Sequence, residues 1–312
     1  MSEAGRKTFR FHYRRMLYNE PGTRWGEDIE ALHDMRVATR RMRAAFRVFG
    51  SFYERETVAP FRKGLKRTGR ALGRVRDLDV FRAKIHTYLN EHSASEEVSL
   101  DGLLAELEAR RDVARRQMID YLDSERYIRL VEGFGLFVET EGMGSRRIDA
   151  RGSDPAAYRV RHVAPVMIYE RLAAVRAYDE WVSMPNPPLK RLHALRIACK
   201  RLRYCLEFFA EVLAPGTQEV IKEIVAVQDH LGAVQDAVVA DGLLRNYVRR
   251  GTWGGEMTEP DPRPPADAPG VELYIAAKQA ELAQLVESFP EVWQRIQEPR
   301  FSRLVAETVM SL

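Results

Sequence analysis

Two segments of the sequence, 160 residues apart, carry the same row of basic residues. The first row consists of His33, Arg36, Arg40, Arg43 and Arg47, and the second of His193, Arg196, Lys200 and Arg203. At about 100° per residue, the first row falls within an arc of about 80° on a helix and is about 21 Å long. Guanidinium groups suit bidentate contact with oxyanions, phosphate above all. These rows are therefore candidate anion-binding residues.

Apolar residues surround the first basic row on nearly every side of its helix. They are Val37 and Val48 on one flank, Leu32 and Phe46 on the other, and Met35, Met42 and Phe49 at the back. Such a helix belongs inside a bundle, so its basic strip should line an internal groove. One alternative is that the arginines pair with carboxylates of neighbouring helices. The row contains almost no acid, however, and unpaired buried guanidinium groups cost several kcal/mol each, which favours an anionic ligand.

The helix predicted after the first row carries a second basic face. Lys63, Lys66, Arg67, Arg70 and Arg74 gather within about 100°, and we take all but Arg67 as further candidate ligands. The corresponding face of the second half has largely lost its charge. It consists of Lys222, Val225, Asp229, Ala233 and Asp236. The sequence therefore predicts an asymmetric site that is strongest in the first half.

Each basic row is followed by the pattern Leu-Gly-x-Val-x-Asp, at Leu72 to Asp77 and at Leu231 to Asp236. The doubled pattern resembles the CHAD domain, the conserved histidine α-helical domain, over roughly residues 5–312. This resemblance implies paired helical bundles from an internal duplication, around a basic cavity that binds inorganic polyphosphate without catalysis. By matching positions, it implies these ligands: His33, Arg36, Arg40, Arg43, Lys66, Arg70, His193, Arg196, Lys200 and Arg203. The pattern departs from the family at Val225 and Asp229, where basic residues are expected.

Strand signals are nearly absent, so we predict an all-α fold of two pseudo-symmetric helical bundles, 1–145 and 146–312, enclosing a basic groove. The predicted helices are 5–19, 28–52, 56–91, 100–122, 124–141, 156–183, 188–212, 216–250, 271–288 and 290–310. Pro165 should kink or split its helix. The Pro/Gly-rich stretch 251–270 is typical of a loop, and 141–154, with Arg146, Arg147 and Arg151, of a linker.

The composition fits a globular chain rather than a disordered one. The 312 residues are 45% hydrophobic and 30% charged, enough for two cores of about 150 residues each. The net charge is only +4, so any strongly positive potential must come from clustering. Cys199 and Cys205 would point about 120° apart on one helix and cannot pair there. With no long apolar run, this favours a cytoplasmic protein outside the membrane.

Metal and enzyme functions find little support in the sequence. His33 and His193 could meet as a metal pair, but no other ligand motif accompanies them and the arginines would repel a cation. We therefore predict no metal and no cofactor. The remaining histidines look incidental: His12, His86, His92, His162 and His230.

Polyphosphate hydrolysis would require carboxylates that hold Mg²⁺ beside the basic groove. Asp77 and Asp79 point apart on a helix, and the sequence has no Gly-rich phosphate loop. We expect Asp77 and Asp236 to orient neighbouring arginines or amides instead.

The leading prediction is thus a non-catalytic polyphosphate-binding module, at polyphosphate granules and in contact with polyphosphate-metabolising enzymes. The alternative is an RNA- or DNA-binding protein that uses the same strip. Binders of single strands interleave aromatic and basic residues, and the basic arcs contain no aromatic residue. Phe46, Phe49, Phe208 and Phe209 should point into the core instead. A helical scaffold with an ion-paired interior is the third interpretation.

Overall fold

In a computed structural model, the structure describes residues 1–26, 28–91, 99–146, 155–184, 186–253, 267–310 and 312. Over these residues the chain forms ten α-helices of twelve residues or more, one single-turn α-helix and no strand. Tyr53 and Ser145 make one isolated backbone bridge. The all-α prediction is confirmed.

The helices of the first half are α1 (Ser2–Trp25), α2 (Ile29–Phe49), α3 (Arg55–Glu91), α4 (Asp101–Leu122) and α5 (Glu125–Glu139). Those of the second half are α6 (Val160–Arg176), α7 (Asp179–Val182), α8 (Leu189–Phe209), α9 (Thr217–Arg250), α10 (Ala268–Gln297) and α11 (Pro299–Met310). Short 3-10 turns occupy Gly50–Phe52 and Pro155–Tyr158. Some positions that the sequence analysis placed in loops or set aside lie outside the described residues: 254–266, Arg147, Arg151 and His92.

Several helix boundaries differ from the prediction, and α1, for example, is Ser2–Trp25 rather than 5–19. The single helix expected over 156–183 is instead a 3-10 turn followed by α6 and α7, and α6 continues through Pro165 without a break. Likewise α10 continues through Pro290 to Gln297. Phe289 and Trp293, on either side of Pro290, are almost fully buried. Their packing outweighs the backbone hydrogen bond that a proline removes.

The main hydrophobic core is continuous through both halves of the chain. Helix α2 packs on α1 and α3, α8 packs on α6 and α9, and α2 and α8 contact each other. The rings of Phe49 and Phe209, one from each half, lie 5.6 Å apart between centroids. Phe46 is also buried, and Phe208 packs against the same core as a partly buried residue. The four phenylalanines thus point where the sequence predicted.

A second, smaller core lies beyond the first. It brings together the carboxyl-terminal parts of α3 and α9 with the amino-terminal parts of α4 and α10. Ile85 and Leu103 come from the first half, and Leu244 and Val271 from the second. Helices α3 and α9 are 37 and 34 residues long, and each contributes to both cores. The middle of these two helices therefore spans the region between the cores.

Candidate functional site

A cavity of about 610 Å³ lies where the middles of α3 and α9 face α2, α8 and α10. Eight basic residues line it: His33, Arg36, Arg40, Arg76, Lys84, Arg196, Lys200 and Lys278. Three acidic residues line it as well: Asp77, Asp236 and Glu281. The excess of cations gives the cavity a positive potential that would attract a polyanion.

Helix geometry places the basic residues of α2 and α8 on this cavity. Asp28 caps α2, since its Oδ1 accepts a hydrogen bond of 2.7 Å from the Glu30 backbone N–H. The opposite face of α2 carries Met35 and Met42, both fully buried in the main core. Because these methionines hold that face against the core, the side chains of His33, Arg36 and Arg40, which are three, four and seven residues apart, point toward the cavity.

The Leu-Gly motifs of the two halves make the same contact with the two basic helices. A Cβ atom on Gly73 would lie 3.7 Å from Nε of Arg36, and one on Gly232 would lie 3.6 Å from Nε of Arg196. Each glycine thus lies against the arginine at the same position of its own row. At these distances an added Cβ would make only an ordinary van der Waals contact with the arginine, so the space at neither position requires glycine.

The motif aspartates form ion pairs with cations of the cavity. Arg36 donates a hydrogen bond of 3.0 Å to Asp77 Oδ1, and Lys84 donates one of 2.6 Å to Asp236 Oδ2. Asp79 faces the other way and accepts from Arg111 of α4 at 2.5 Å. The expectations that Asp77 and Asp79 point apart, and that Asp77 orients an arginine, are confirmed. This ion pair agrees with the interpretation of a helical scaffold with an ion-paired interior, because Arg36 does have a carboxylate partner.

Other cations of the cavity have no such partner. Among the described residues, Arg40, Arg196 and Lys200 form no ion pair, and the buried Nε atoms of Arg40 and Arg196 have no hydrogen-bond partner. Burial lowers the pKa of Arg40, and the neighbouring guanidinium groups of Arg36 and Arg203 lower it further. These charges are therefore held together at a cost that an anion would relieve.

Lys200 is the most perturbed amine of the site. Burial lowers the pKa of Lys200 to about 8, and the nearby charges of Arg196 and Arg40 act in the same direction. Burial also lowers the pKa of His33, with Arg76 adding to the effect, so that His33 is largely neutral at pH 7. The ammonium group of Lys200 is thus still charged at neutral pH, but it loses its proton as the pH rises through about 8.

The structure separates the predicted ligands into groups. Five of the thirteen line the cavity: His33, Arg36, Arg40, Arg196 and Lys200. Arg47 instead lines a second cleft of about 230 Å³ with Arg171, Arg201 and Tyr204. Lys63, Lys66 and Arg70 are exposed on α3 and do not line the cavity.

The remaining four are engaged elsewhere. Arg43 lies against Gly69, whose added Cβ would be 3.3 Å from the guanidinium group. Arg74 donates to Gln117 of α4 at 3.1 Å, and Arg203 donates to Glu207 at 2.8 Å. His193 is exposed, with its Nδ1 against the side chain of Gln235. His33 lines the cavity, whereas His193 does not.

Sequence reasoning missed several lining residues. Lys84 continues the predicted strip of α3 seven residues beyond Asp77 and could have been recognised, whereas Arg76 lies about 120° away from Arg70 around the helix. Lys278 comes from α10 and Trp253 follows α9, and no local pattern links either one to the basic rows. Among the described residues, no group of three or more His, Cys, Asp or Glu side chains is placed to hold a metal ion.

The fold and cavity define an all-α protein in which two helices with the same basic pattern meet over one positive cavity. A sequence profile of the CHAD domain matches residues 7–245, and the chain therefore belongs to the CHAD domain family. No helix in the described part of the chain has the length and apolar character needed to cross a bilayer.

Two solved structures resemble this chain over nearly its whole length. The crystal structure of the CHAD domain from the plant Ricinus communis is 23% identical, with a TM-score of 0.59, and the match covers 100% of this chain and 92% of that one. PptA from Streptomyces chartreusis is 16% identical, with a TM-score of 0.66, covering 94% of this chain and 99% of that one. At these identities the likeness establishes a common fold. No curated protein matches the sequence.

Proposed function

We propose that the protein binds inorganic polyphosphate in the cavity between α2, α3, α8 and α9. The observation that carries this proposal is the set of unpaired cations, Arg40, Arg196 and Lys200, which line one cavity without a carboxylate partner among the described residues. A chain of phosphate groups would neutralise them together and offset the cost of their burial. Membership of the CHAD domain family supports the same ligand.

Both halves of the chain would contribute to this site. Arg36 and Arg40 belong to 1–145, and Arg196 and Lys200 belong to 146–312. We propose that these halves arose by internal duplication. The equivalent contacts of Gly73 with Arg36 and of Gly232 with Arg196 support this origin.

The proposed function is binding without catalysis. Asp77 and Asp236 each pair with a cation of the cavity, and Asp79 pairs with Arg111, so these carboxylates are engaged rather than placed to hold Mg²⁺. In this proposal the protein acts in the cytoplasm at polyphosphate granules, where it would meet polyphosphate-metabolising enzymes.

The first experiment is a titration of the purified protein with long-chain polyphosphate and with single-stranded RNA, at matched phosphate concentration and salt. Tight binding of polyphosphate and weak binding of RNA is the expected result. Equal affinities would contradict the proposal and favour a nucleic-acid-binding protein that uses the same strip. Release of inorganic phosphate in the presence of Mg²⁺ would contradict the non-catalytic part.

Matched variants locate the binding site. The triple variant Arg36→Ala, Arg40→Ala, Arg196→Ala removes three charges from the cavity. At about 1 kcal/mol or more for each charge-assisted contact, its affinity for polyphosphate should fall about a hundredfold or further. The control variant loses three exposed arginines of α4 and α5: Arg116, Arg126 and Arg129. Equal loss in both variants would mean that only net charge matters, and circular dichroism should show the same helicity in each.

A further inference from the structure

The cavity is basic over only part of its wall. Beyond the ion pairs of Asp77 and Asp236, the next turns of α3 and α9 present apolar residues, and Trp253 and α10 complete the surface. This second part of the wall, the aromatic end, consists of Val80, Phe81, Val239, Leu243, Trp253 and Tyr274. A chain made only of phosphate gains nothing from such a wall, because contact with it removes water from the charged groups without replacing it.

The aromatic end is firmly built. The ring centroids of Phe81 and Trp253 lie 4.6 Å apart, with their planes inclined at 56°. The Tyr274 ring packs against Tyr88, and Lys278 Nζ lies 5.3 Å from the Tyr274 ring centroid. Trp253 and Tyr274 both belong to the second hydrophobic core. The aromatic wall is therefore held in place before any ligand arrives, which lowers the entropic cost of binding.

Polar side chains also line the cavity. Lys84 and Asp236 form an ion pair there, and Lys278 pairs with Glu281 at 2.6 Å. These groups offer hydrogen-bond donors and acceptors to a ligand that extends from one end to the other. A volume of about 610 Å³ also lies within the range of about 300–1,000 Å³ that is usual for sites that enclose a small organic molecule.

We propose that this cavity binds a nucleoside polyphosphate. Its phosphate groups would contact Arg36, Arg40, Arg196 and Lys200. Its base would pack against Phe81 and the exposed part of Trp253, because Tyr274 is fully buried and only supports this wall. The inference rests on the proposed function in one respect, namely that the basic end accepts phosphate. It adds that the ligand, or a second ligand of the same cavity, carries an aromatic ring.

The test compares ATP with tripolyphosphate, which has the same number of phosphate groups and no nucleoside. Stacking of a base on aromatic side chains contributes about 1–3 kcal/mol, so calorimetry should find ATP bound about tenfold tighter. Tripolyphosphate carries the greater negative charge, so simple electrostatic attraction predicts the opposite order. Equal affinities, or tighter binding of tripolyphosphate, would overturn the inference.

Single substitutions then separate the two ends of the cavity. Phe81→Leu and Trp253→Leu should each weaken ATP binding about tenfold and leave tripolyphosphate binding unchanged. The control is Trp25→Leu, because Trp25 is 74% exposed on α1, outside the cavity. Arg36→Ala should weaken both ligands. If both aromatic variants lose tripolyphosphate along with ATP, the aromatic end acts through the fold and the inference is wrong.

The outcomes for this inference and for the proposed function can be told apart. Binding of long-chain polyphosphate with no preference for ATP over tripolyphosphate would overturn only the inference. Binding of ATP without binding of polyphosphate would overturn only the proposed function. Failure of every ligand to bind would overturn both.

Discussion

The affinity for polyphosphate should depend on pH through one amine of the cavity. Burial lowers the pKa of Lys200 to about 8 in the free protein, and the guanidinium groups of Arg196, Arg40, Arg203 and Arg36 lower it in the same direction. A bound anion stabilises the ammonium form and raises its pKa. Below about pH 8 that form is already present, whereas above this pH the protein must take up a proton when it binds.

The size of the effect follows from this single proton. For a group with a pKa of about 8, the charged fraction falls about tenfold between pH 7 and pH 9, and the affinity should fall by the same factor, about 1.4 kcal/mol. The arginines keep their charge throughout this range. Burial lowers the pKa of His33 below its ordinary value of 6.5, so this side chain is mostly neutral in the free protein over the same range.

The assay is a calorimetric titration with long-chain polyphosphate at pH 7, 8 and 9 and constant ionic strength. A long chain is needed because its internal phosphate groups stay ionised, whereas terminal groups titrate near neutrality. Lys200→Arg should bind with an affinity that is nearly independent of pH, and Lys200→Gln should bind weakly at every pH. His86→Gln, at an exposed position outside the cavity, is the control. A flat profile for the unmodified protein, or the same slope in Lys200→Arg, would refute the reasoning.

The remaining predictions concern binding and stability. Arg40→Met should weaken polyphosphate binding and yet raise the midpoint of thermal unfolding by about 2 °C. The reason is that it removes a half-buried charge without an ion-pair partner among the described residues. A lower midpoint of unfolding would contradict this prediction. Polyphosphate affinity should fall steeply as salt rises, because each neutralised phosphate releases counterions, and a weak dependence would mean few phosphate contacts. Gly73→Ala should raise the free energy of unfolding in urea by about 1 kcal/mol, because its Cβ would make an ordinary contact with Arg36 and alanine favours a helix. The contrast is Gly5→Ala, which should lower the free energy of unfolding, since its Cβ would lie 2.8 Å from the Cβ of Phe49. A lower free energy of unfolding for Gly73→Ala as well would contradict the prediction.

The helical period was enough to predict part of the cavity. His33, Arg36 and Arg40 lie on one face of a helix whose other sides are apolar, and packing those sides into a core leaves only one direction for the basic face. The same row continues to Arg47, which reaches a separate cleft. A periodic pattern gives the face of a helix, but it does not say how far along that face the neighbouring helices enclose it.

Other features depend on tertiary contacts that no local pattern contains. The ion pair of Lys84 with Asp236 joins residues 152 positions apart. Trp253 and Tyr274 reach the cavity only because α10 packs beside α9. The continuity of the main core is another such feature, since the pairing of Phe49 with Phe209 depends on how α2 meets α8.

The second hydrophobic core has a consequence for dissecting this chain. Ile85 and Leu103 of the first half are buried there against partners such as Leu244 and Val271 of the second. A fragment of residues 1–145 expressed alone would expose that apolar surface to water and should aggregate or pair with a second copy of itself. The two fragments should therefore be recovered in stable form when they are produced together, as a split protein that reassembles through a shared interior.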